Sequence, residues 1–214
     1  MSNKMSNYSK MAPYYNKITN IISKNGNIRS QRYFLKYLKD DITVLNVGCG
    51  SVQFNIDLSK TCKNVTSIDI SKEMIEAAKD NLSLVGVNPP NFICEDILHY
   101  KPDYQFDVVF ANFVLNTFQW ETCCFVIKHI DSLVKPGGLL CIADEHVAIS
   151  KKAKFSQKLF RPIIYLIHHI WANHPMHAIY SYETELYKLG YTIVDKKVDP
   201  SEFIASTVYK KLEN

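Results

Sequence analysis

Between Ile42 and Ala143, short apolar runs rich in β-branched residues alternate with segments of helical period, and this rhythm constrains the fold more than any other feature. Ile42 to Val47, Asn64 to Ile70, Asn91 to Cys94, Phe106 to Ala111 and Leu139 to Ala143 read as five strands. Helices are expected between them over about Gln53 to Lys60, Lys72 to Val85 and Trp120 to Leu133. Ser71 is a good N-cap for the second of these, whose Met74, Ile75, Ala78 and Leu82 share one face. Strand, helix, strand in this order implies a parallel sheet with right-handed crossovers. The chain ends differently. After a helix near Tyr182 to Leu189, the strands Tyr191 to Val198 and Glu202 to Tyr209 are separated only by the turn Asp199-Pro200-Ser201, so they should pair antiparallel. The expected class is α/β: a doubly wound, mostly parallel sheet finished by an antiparallel hairpin. Before the sheet, Tyr8 to Ser23 and Ser30 to Leu38 read as helices broken at Asn25-Gly26-Asn27.

The 214 residues suit one domain, with 1–40 as an N-terminal helical cap and 150–180 as an insertion after the fifth strand. A net charge of +4, from 25 basic and 21 acidic side chains, is too weak a bias to argue for nucleic acid. None of the six cysteines forms a C-x-x-C pair, which excludes zinc-ribbon and thioredoxin readings and fits a reducing compartment. The opening MSNKMSNYSK carries no apolar run of the secretory kind, and no stretch of about 18 uncharged apolar residues is present, so a cytoplasmic location without a membrane span is expected.

Ligands of open parallel sheets bind beyond the carboxyl ends of the strands. At the first end, Val47-Gly48-Cys49-Gly50 lets the backbone approach a ligand closely, though an ordinary strand-to-helix turn uses the same residues. At the second, Asp69 can accept both hydroxyls of a ribose; the competing role, capping the next helix, already falls to Ser71. At the third, Asp96 can accept from an adenine amino group while Ile97 and Met74 cover the ring faces, or Glu95-Asp96 is simply a solvated turn. At the fourth, Asn112 and Phe113 face the ligand, whereas Asp107 belongs to the far end of its strand and is structural. Lys135-Pro136-Gly137-Gly138 reads as a tight turn into the fifth strand.

VLNVGCG, TSIDIS-x-x-MI-x-x-A, CEDI, FDVVFANFVL and LVKPGGLLCIAD stand in order from Ile42 to Asp144, and together they resemble the class I S-adenosylmethionine-dependent methyltransferases. YSKMAPYYNKI resembles the N-terminal segment of small-molecule methyltransferases of the ubiquinone/menaquinone type. The resemblance implies a seven-stranded sheet of order 3-2-1-4-5-7-6, with S-adenosylmethionine as cofactor and S-adenosylhomocysteine as product. It implies cofactor contacts by Gly48, Gly50, Asp69, Asp96 and Ile97, with Tyr15 closing the pocket. Asn46, Cys49, Ile70, Met74, Asn112 and Phe113 complete the expected cofactor set. Two positions depart from the family pattern. Asn46 stands where an acid usually helps hold the cofactor's ammonium group, and Val52 where a third glycine is common. The Asn46 departure keeps open a cofactor-binding module with weak or lost activity.

Methyl transfer from a sulfonium needs positioning and desolvation more than a strong protein nucleophile. His146, beyond the fifth strand, is the candidate general base or acceptor contact, with a solvated loop histidine as the alternative; His168, His169, His174 and His177 of the insertion are the other place to look for a base, and Asn112 is the second catalytic candidate. His174-x-x-His177 lacks a third ligand at metal spacing, so no metal is expected. The insertion begins with Lys151, Lys152, Lys154, Lys158 and Arg161 and continues aromatic and aliphatic. It reads either as a lid over an apolar acceptor with peripheral membrane contact through 151–171, or as a helix packed on the body with its lysines in water. A nucleotide-dependent oxidoreductase would want glycine where Gln53 stands. A nucleic-acid methyltransferase would usually show Asn/Asp-Pro-Pro-Tyr/Phe where Ala111-Asn112-Phe113-Val114 stands. A small-molecule acceptor is therefore expected.

Overall fold

The computed structural model describes residues 25–50 and 52–213; Tyr15 and the helix expected over Tyr8 to Ser23 lie outside the described residues. Seven strands form one sheet: β1 (Thr43–Val47), β2 (Asn64–Asp69), β3 (Asn91–Cys94), β4 (Phe106–Ala111), β5 (Val134–Glu145), β6 (Tyr191–Val198) and β7 (Ile204–Lys211). Their order is β3-β2-β1-β4-β5-β7-β6. Pairs from β3 to β5 are parallel, and β7 runs antiparallel to both β5 and β6. The expected class, order and terminal hairpin are all present.

The helices are α1 (Gly26–Arg32), α2 (Val52–Thr61), α3 (Lys72–Leu84), α4 (Trp120–Leu133), α5 (Lys151–Ala172) and α6 (Glu183–Lys188), with 3-10 turns at Tyr33–Tyr37 and Leu115–Thr117. Alternate strand residues serve opposite faces of the sheet. Leu45, Val47, Val109 and Ala111 pack toward α4 and α6 with Ile127, Ile130 and Leu186. Val44, Val108 and Phe110 pack toward the first helices with Phe34, Phe54 and Leu58. Because both faces are covered, the strands read as nearly continuous apolar runs. Each fully buried large side chain contributes roughly 1.5–3 kcal/mol.

Ser71 caps α3 as expected, its Oγ accepting from the Met74 N–H at 3.2 Å. Asp107 pins the end of the sheet away from the ligand side. Burial pushes its carboxyl up, but Lys135 Nζ (2.8 Å) and the Thr43 N–H and hydroxyl outweigh that and hold it below the ordinary carboxylate range.

Two expectations need correction. Gly26 and Asn27 are not a break: Asn25, in the left-handed region at φ 62°, precedes a helix that begins at Gly26 and tightens to 3-10 geometry at Tyr33. That helix lies on β7 (Ser206 Oγ donates to Ser30 O at 2.8 Å, and Arg29 pairs with Asp199), so the described part of the N-terminal cap covers the sheet rather than a ligand site. Lys135-Pro136-Gly137-Gly138 does not leave the sheet. It is an irregularity within β5, where the register advances five positions from Val134 to Leu139 against two on β4 from Phe106 to Val108. Gly137 supplies the left-handed residue at φ 74°.

Candidate functional site

A cavity opens beyond the carboxyl ends of β1, β2 and β4. Its floor is the loop after β1. Gly48 has φ 75°, its N–H donates to Ile68 O at 2.8 Å, and a Cβ there would lie 2.5 Å from Val114 Cγ2. Only glycine satisfies both the dihedral and the approach. Gly50 lines the same cavity.

Beneath the loop lies a buried polar network. Asn55 Nδ2 donates to Cys49 O (2.6 Å), while its Oδ1 accepts from Ser67 Oγ (2.9 Å) and Asn46 Nδ2 (3.2 Å). Asn46 is therefore under the loop and not among the cavity-lining residues. The network explains its departure from the family pattern. Asn55 Oδ1 needs donors, and a carboxylate at position 46 would face it with oxygen against oxygen in a buried site. Cys49 is also not in the lining; its side chain packs with Met74, Ile75 and Ala78 while its backbone holds the loop in place.

Asp69, at the end of β2, is a lining residue. Its Oδ2 accepts from the Cys49 N–H at 2.9 Å and its Oδ1 from the Ser71 N–H at 2.8 Å. Burial raises its pKa, partly countered by these N–H donors. Ile70 and Met74 line the wall beside it, and Glu95 and Ile97 follow from the end of β3. Asp96 is not among the lining residues. Its Oδ1 accepts from the Leu98 N–H at 2.9 Å, closing an Asx turn, and Glu95 takes the cavity position instead.

On the far wall, Asn112 and Phe113 line the cavity. Asn112 Oδ1 accepts from the Ala143 N–H at 3.0 Å, which fixes the amide orientation, and its buried Nδ2 has no partner among the described residues. Phe113 sits at φ 56°, an uncommon backbone state for an aromatic residue, and its N–H donates to Ala143 O at 2.8 Å. Thr117 of the 3-10 turn and its flanking residues Val114 and Phe118 close this side. These three, with Ser71 and Glu95, were not assigned to the site from sequence. The apolar stretch after Asn112 is the only sequence signal for the turn residues.

His146 does not join this cavity. It lines a second one between β5, β7 and residues 179–183, where its Nδ1 is 3.4 Å from Glu202 O and its N–H donates to Phe203 O. The reason is length: β5 runs two residues beyond the expected Ala143, carrying His146 past the mouth. Asp144 occupies the buried position instead, with Oδ1 accepting from the Glu145 N–H (2.7 Å) and Oδ2 from the Tyr182 hydroxyl (2.7 Å). Burial pushes Asp144 from its ordinary 3.8 up to about 7. The stability tied to this group is complete below the unfolded value and is lost as pH rises through the folded one. Asp144→Asn is thus expected to be more stable than the parent near about pH 8, by up to roughly 4 kcal/mol, and so to melt at higher temperature, with the gap shrinking as the solution is acidified. Thermal melts across that pH range check this.

The insertion is anchored beside Asp144. Glu145 Oε2 accepts from Arg161 Nη2 (3.0 Å) and from the Tyr165 hydroxyl (2.7 Å). After α5 the chain returns over the 3-10 turn that lines the first cavity, with His177 Nε2 2.7 Å from Asn116 O and the Tyr180 hydroxyl donating to Phe118 O. His174 and His177 bond backbone carbonyls, and among the described residues no group of three or more His, Cys, Asp or Glu could hold a metal ion.

The sequence profile of a family described as a methyltransferase domain matches residues 38–195. Malonyl-[acyl-carrier protein] O-methyltransferase 2 of Ilyobacter polytropus is 34% identical over 110 residues, covering 50% of this chain and 40% of that protein. The ubiquinone biosynthesis O-methyltransferase of Coxiella burnetii is 31% identical over 122 residues, covering 50% of this chain and 47% of its own. The matched stretch thus spans less than half of either relative's length. Among solved structures, the N-methyltransferase NodS of Bradyrhizobium japonicum with S-adenosyl-L-homocysteine has a TM-score of 0.62 at 18% identity, covering 86% of this chain and 85% of that one. Magnesium protoporphyrin IX methyltransferase of Synechocystis with bound S-adenosylhomocysteine has a TM-score of 0.65 at 17% identity, covering 87% and 84%. Both share the fold. More than half of the sequence lies inside the profile match, and the chain belongs to the methyltransferase-domain family.

Proposed function

We propose that this protein binds S-adenosylmethionine in the cavity above Gly48 and transfers the methyl group to an apolar or amphiphilic small molecule. The observation that carries the reading is the Asp69 carboxylate, held by two backbone N–H groups beside the glycine loop that floors the cavity. Bound there, the cofactor supplies a methyl already activated on a sulfonium. The residues present fit such a group. The Gly48 backbone leaves room where a Cβ would be crowded, and Asp69 retains acceptor capacity for ribose hydroxyls. Met74 and Ile97 offer apolar faces for a base, and Asn112 Nδ2, buried and without a partner among the described residues, is a donor for a ligand acceptor.

Phe113, Val114 and Phe118 exclude water from the far wall, which strengthens every polar contact inside. The return segment over Asn116 and Phe118 supports residues 150–180 as the acceptor-side cover. The names of the two relatives, a malonyl-[acyl-carrier protein] O-methyltransferase and a ubiquinone biosynthesis O-methyltransferase, support an amphiphilic acceptor. No step is assigned to His146. Because the Asn46–Asn55 network accounts for the missing acid, no observation favours a binding-only module.

The test is acceptor-dependent formation of S-adenosylhomocysteine by purified protein, with methyl-labelled cofactor and a panel of phenolic, quinol and fatty-acyl carboxylate acceptors. Turnover at least ~10-fold above the acceptor-free rate is expected with an amphiphilic member, falling ~10-fold or more in Asn112→Ala. Background rates with every member, from protein that binds the cofactor, would contradict the transfer.

A further inference from the structure

Helix α5 turns its polar side toward the body and its apolar side outward. The inward side is held by hydrogen bonds: Gln157 Nε2 to His146 O (2.7 Å), the Ala148 N–H to Gln157 Oε1 (3.1 Å), and Arg161 and Tyr165 to Glu145. The outward side carries Phe155, Leu159, Ile163, Leu166 and Ile170, spaced by three and four residues, with Phe155 73% and Ile170 69% exposed. A soluble helix normally does the reverse. Val147 and Ile149 before the helix and Met176 after it are exposed as well.

The charge pattern selects the occupant. No Asp or Glu occurs from residue 151 to residue 182. Lys151, Lys152, Lys154 and Lys158 are exposed, and none is in an ion pair among the described residues. Three of them fall in the first turn, where the helix dipole disfavours cations, so helix stability alone does not explain them. A second copy docking through the same helix would offer neither lysine cluster an acidic partner from residues 151–182. Residues 1–24 carry Lys4, Lys10, Lys17 and Lys24 and no acid, so they are no better matched. Among the described residues, no helix is long and apolar enough to cross a membrane.

We propose that α5 docks this protein on an anionic phospholipid surface, lying in the interface with its apolar side in the acyl boundary and its lysines among the headgroups. Through Glu145 at its base and the return segment over Asn116, the docked helix would place the cavity mouth beside the layer where amphiphilic molecules dissolve. The docking does not rest on the methyl-transfer reading and is measured without it.

The experiment is co-sedimentation of the full chain with vesicles of phosphatidylcholine alone, and with vesicles of equal parts phosphatidylcholine and phosphatidylglycerol. Partition is expected to be ~10-fold or more greater on the anionic vesicles, and to weaken strongly at about 0.5 M salt. Changing Lys151, Lys152, Lys154 and Lys158 together to Gln should reduce it to the phosphatidylcholine level. Leu159→Glu with Leu166→Glu should abolish it, with thermal melts showing both variants folded; if the leucine variant does not fold, the lysine variant decides. Protein that stays in the supernatant with anionic vesicles overturns the proposal. So does equal binding to both vesicles that the lysine changes leave untouched. A dimer in sedimentation equilibrium that the leucine changes dissolve, with vesicles left unbound, would assign the face to a second copy instead.

Discussion

Gly48→Ala is expected to lose detectable S-adenosylhomocysteine binding and to destabilise the folded protein by roughly 2–5 kcal/mol. Two independent terms act on the same atom. The backbone at φ 75° disfavours any Cβ, and the new methyl would sit 2.5 Å from Val114 Cγ2. Since the Gly48 N–H also ties the loop to Ile68 O, relief by shifting the loop breaks a buried hydrogen bond. The two terms can be separated. Adding Val114→Ala removes the collision but not the dihedral cost, so the double variant should recover part of the stability in urea denaturation and little of the binding. Full recovery would show that crowding alone makes Gly48 necessary.

Asp69→Ala is expected to weaken cofactor binding ~100-fold or more while the protein stays folded, because two charge-assisted hydrogen bonds to a ribose are each worth about 1.5–3 kcal/mol. The stability change should be smaller. Removing the carboxylate orphans the Cys49 and Ser71 N–H groups, but it also removes a buried charge whose pKa is already raised by desolvation. Asp69→Asn keeps an acceptor for one of the two N–H groups and should fall between the parent and Asp69→Ala. The readout is the melting shift produced by saturating S-adenosylhomocysteine. An unchanged shift in Asp69→Ala would remove this residue from the ribose and with it the orientation assigned to the ligand.

Much of the scaffold is legible from period alone. Apolar β-branched runs gave five parallel strands, and the lack of any helix between Tyr191 and Lys211 gave the hairpin. Local chemistry read correctly wherever it was self-contained, as at the Ser71 cap. It did not decide the outcome where one particular partner, near or distant, sets it. Lys135-Pro136-Gly137-Gly138 satisfies both a turn and a strand irregularity; Lys135 bonding Asp107 across the sheet keeps the segment in β5. Glu95 and Asp96 differ by one residue of parity, and the Asx turn to Leu98, not charge, settles which enters the cavity. Asn46 depends on Asn55, nine residues away on a helix. The apolar stripe of α5 is visible as a pattern, but the pattern does not tell which side meets the body; Glu145 does.

Calorimetric titration of the intact chain with S-adenosylhomocysteine probes the assigned pocket without any choice of acceptor. One site per chain with micromolar affinity is the expected isotherm, collapsing when Asp69 becomes alanine. A flat trace from folded protein up to millimolar ligand would leave the sheet intact and remove its chemistry.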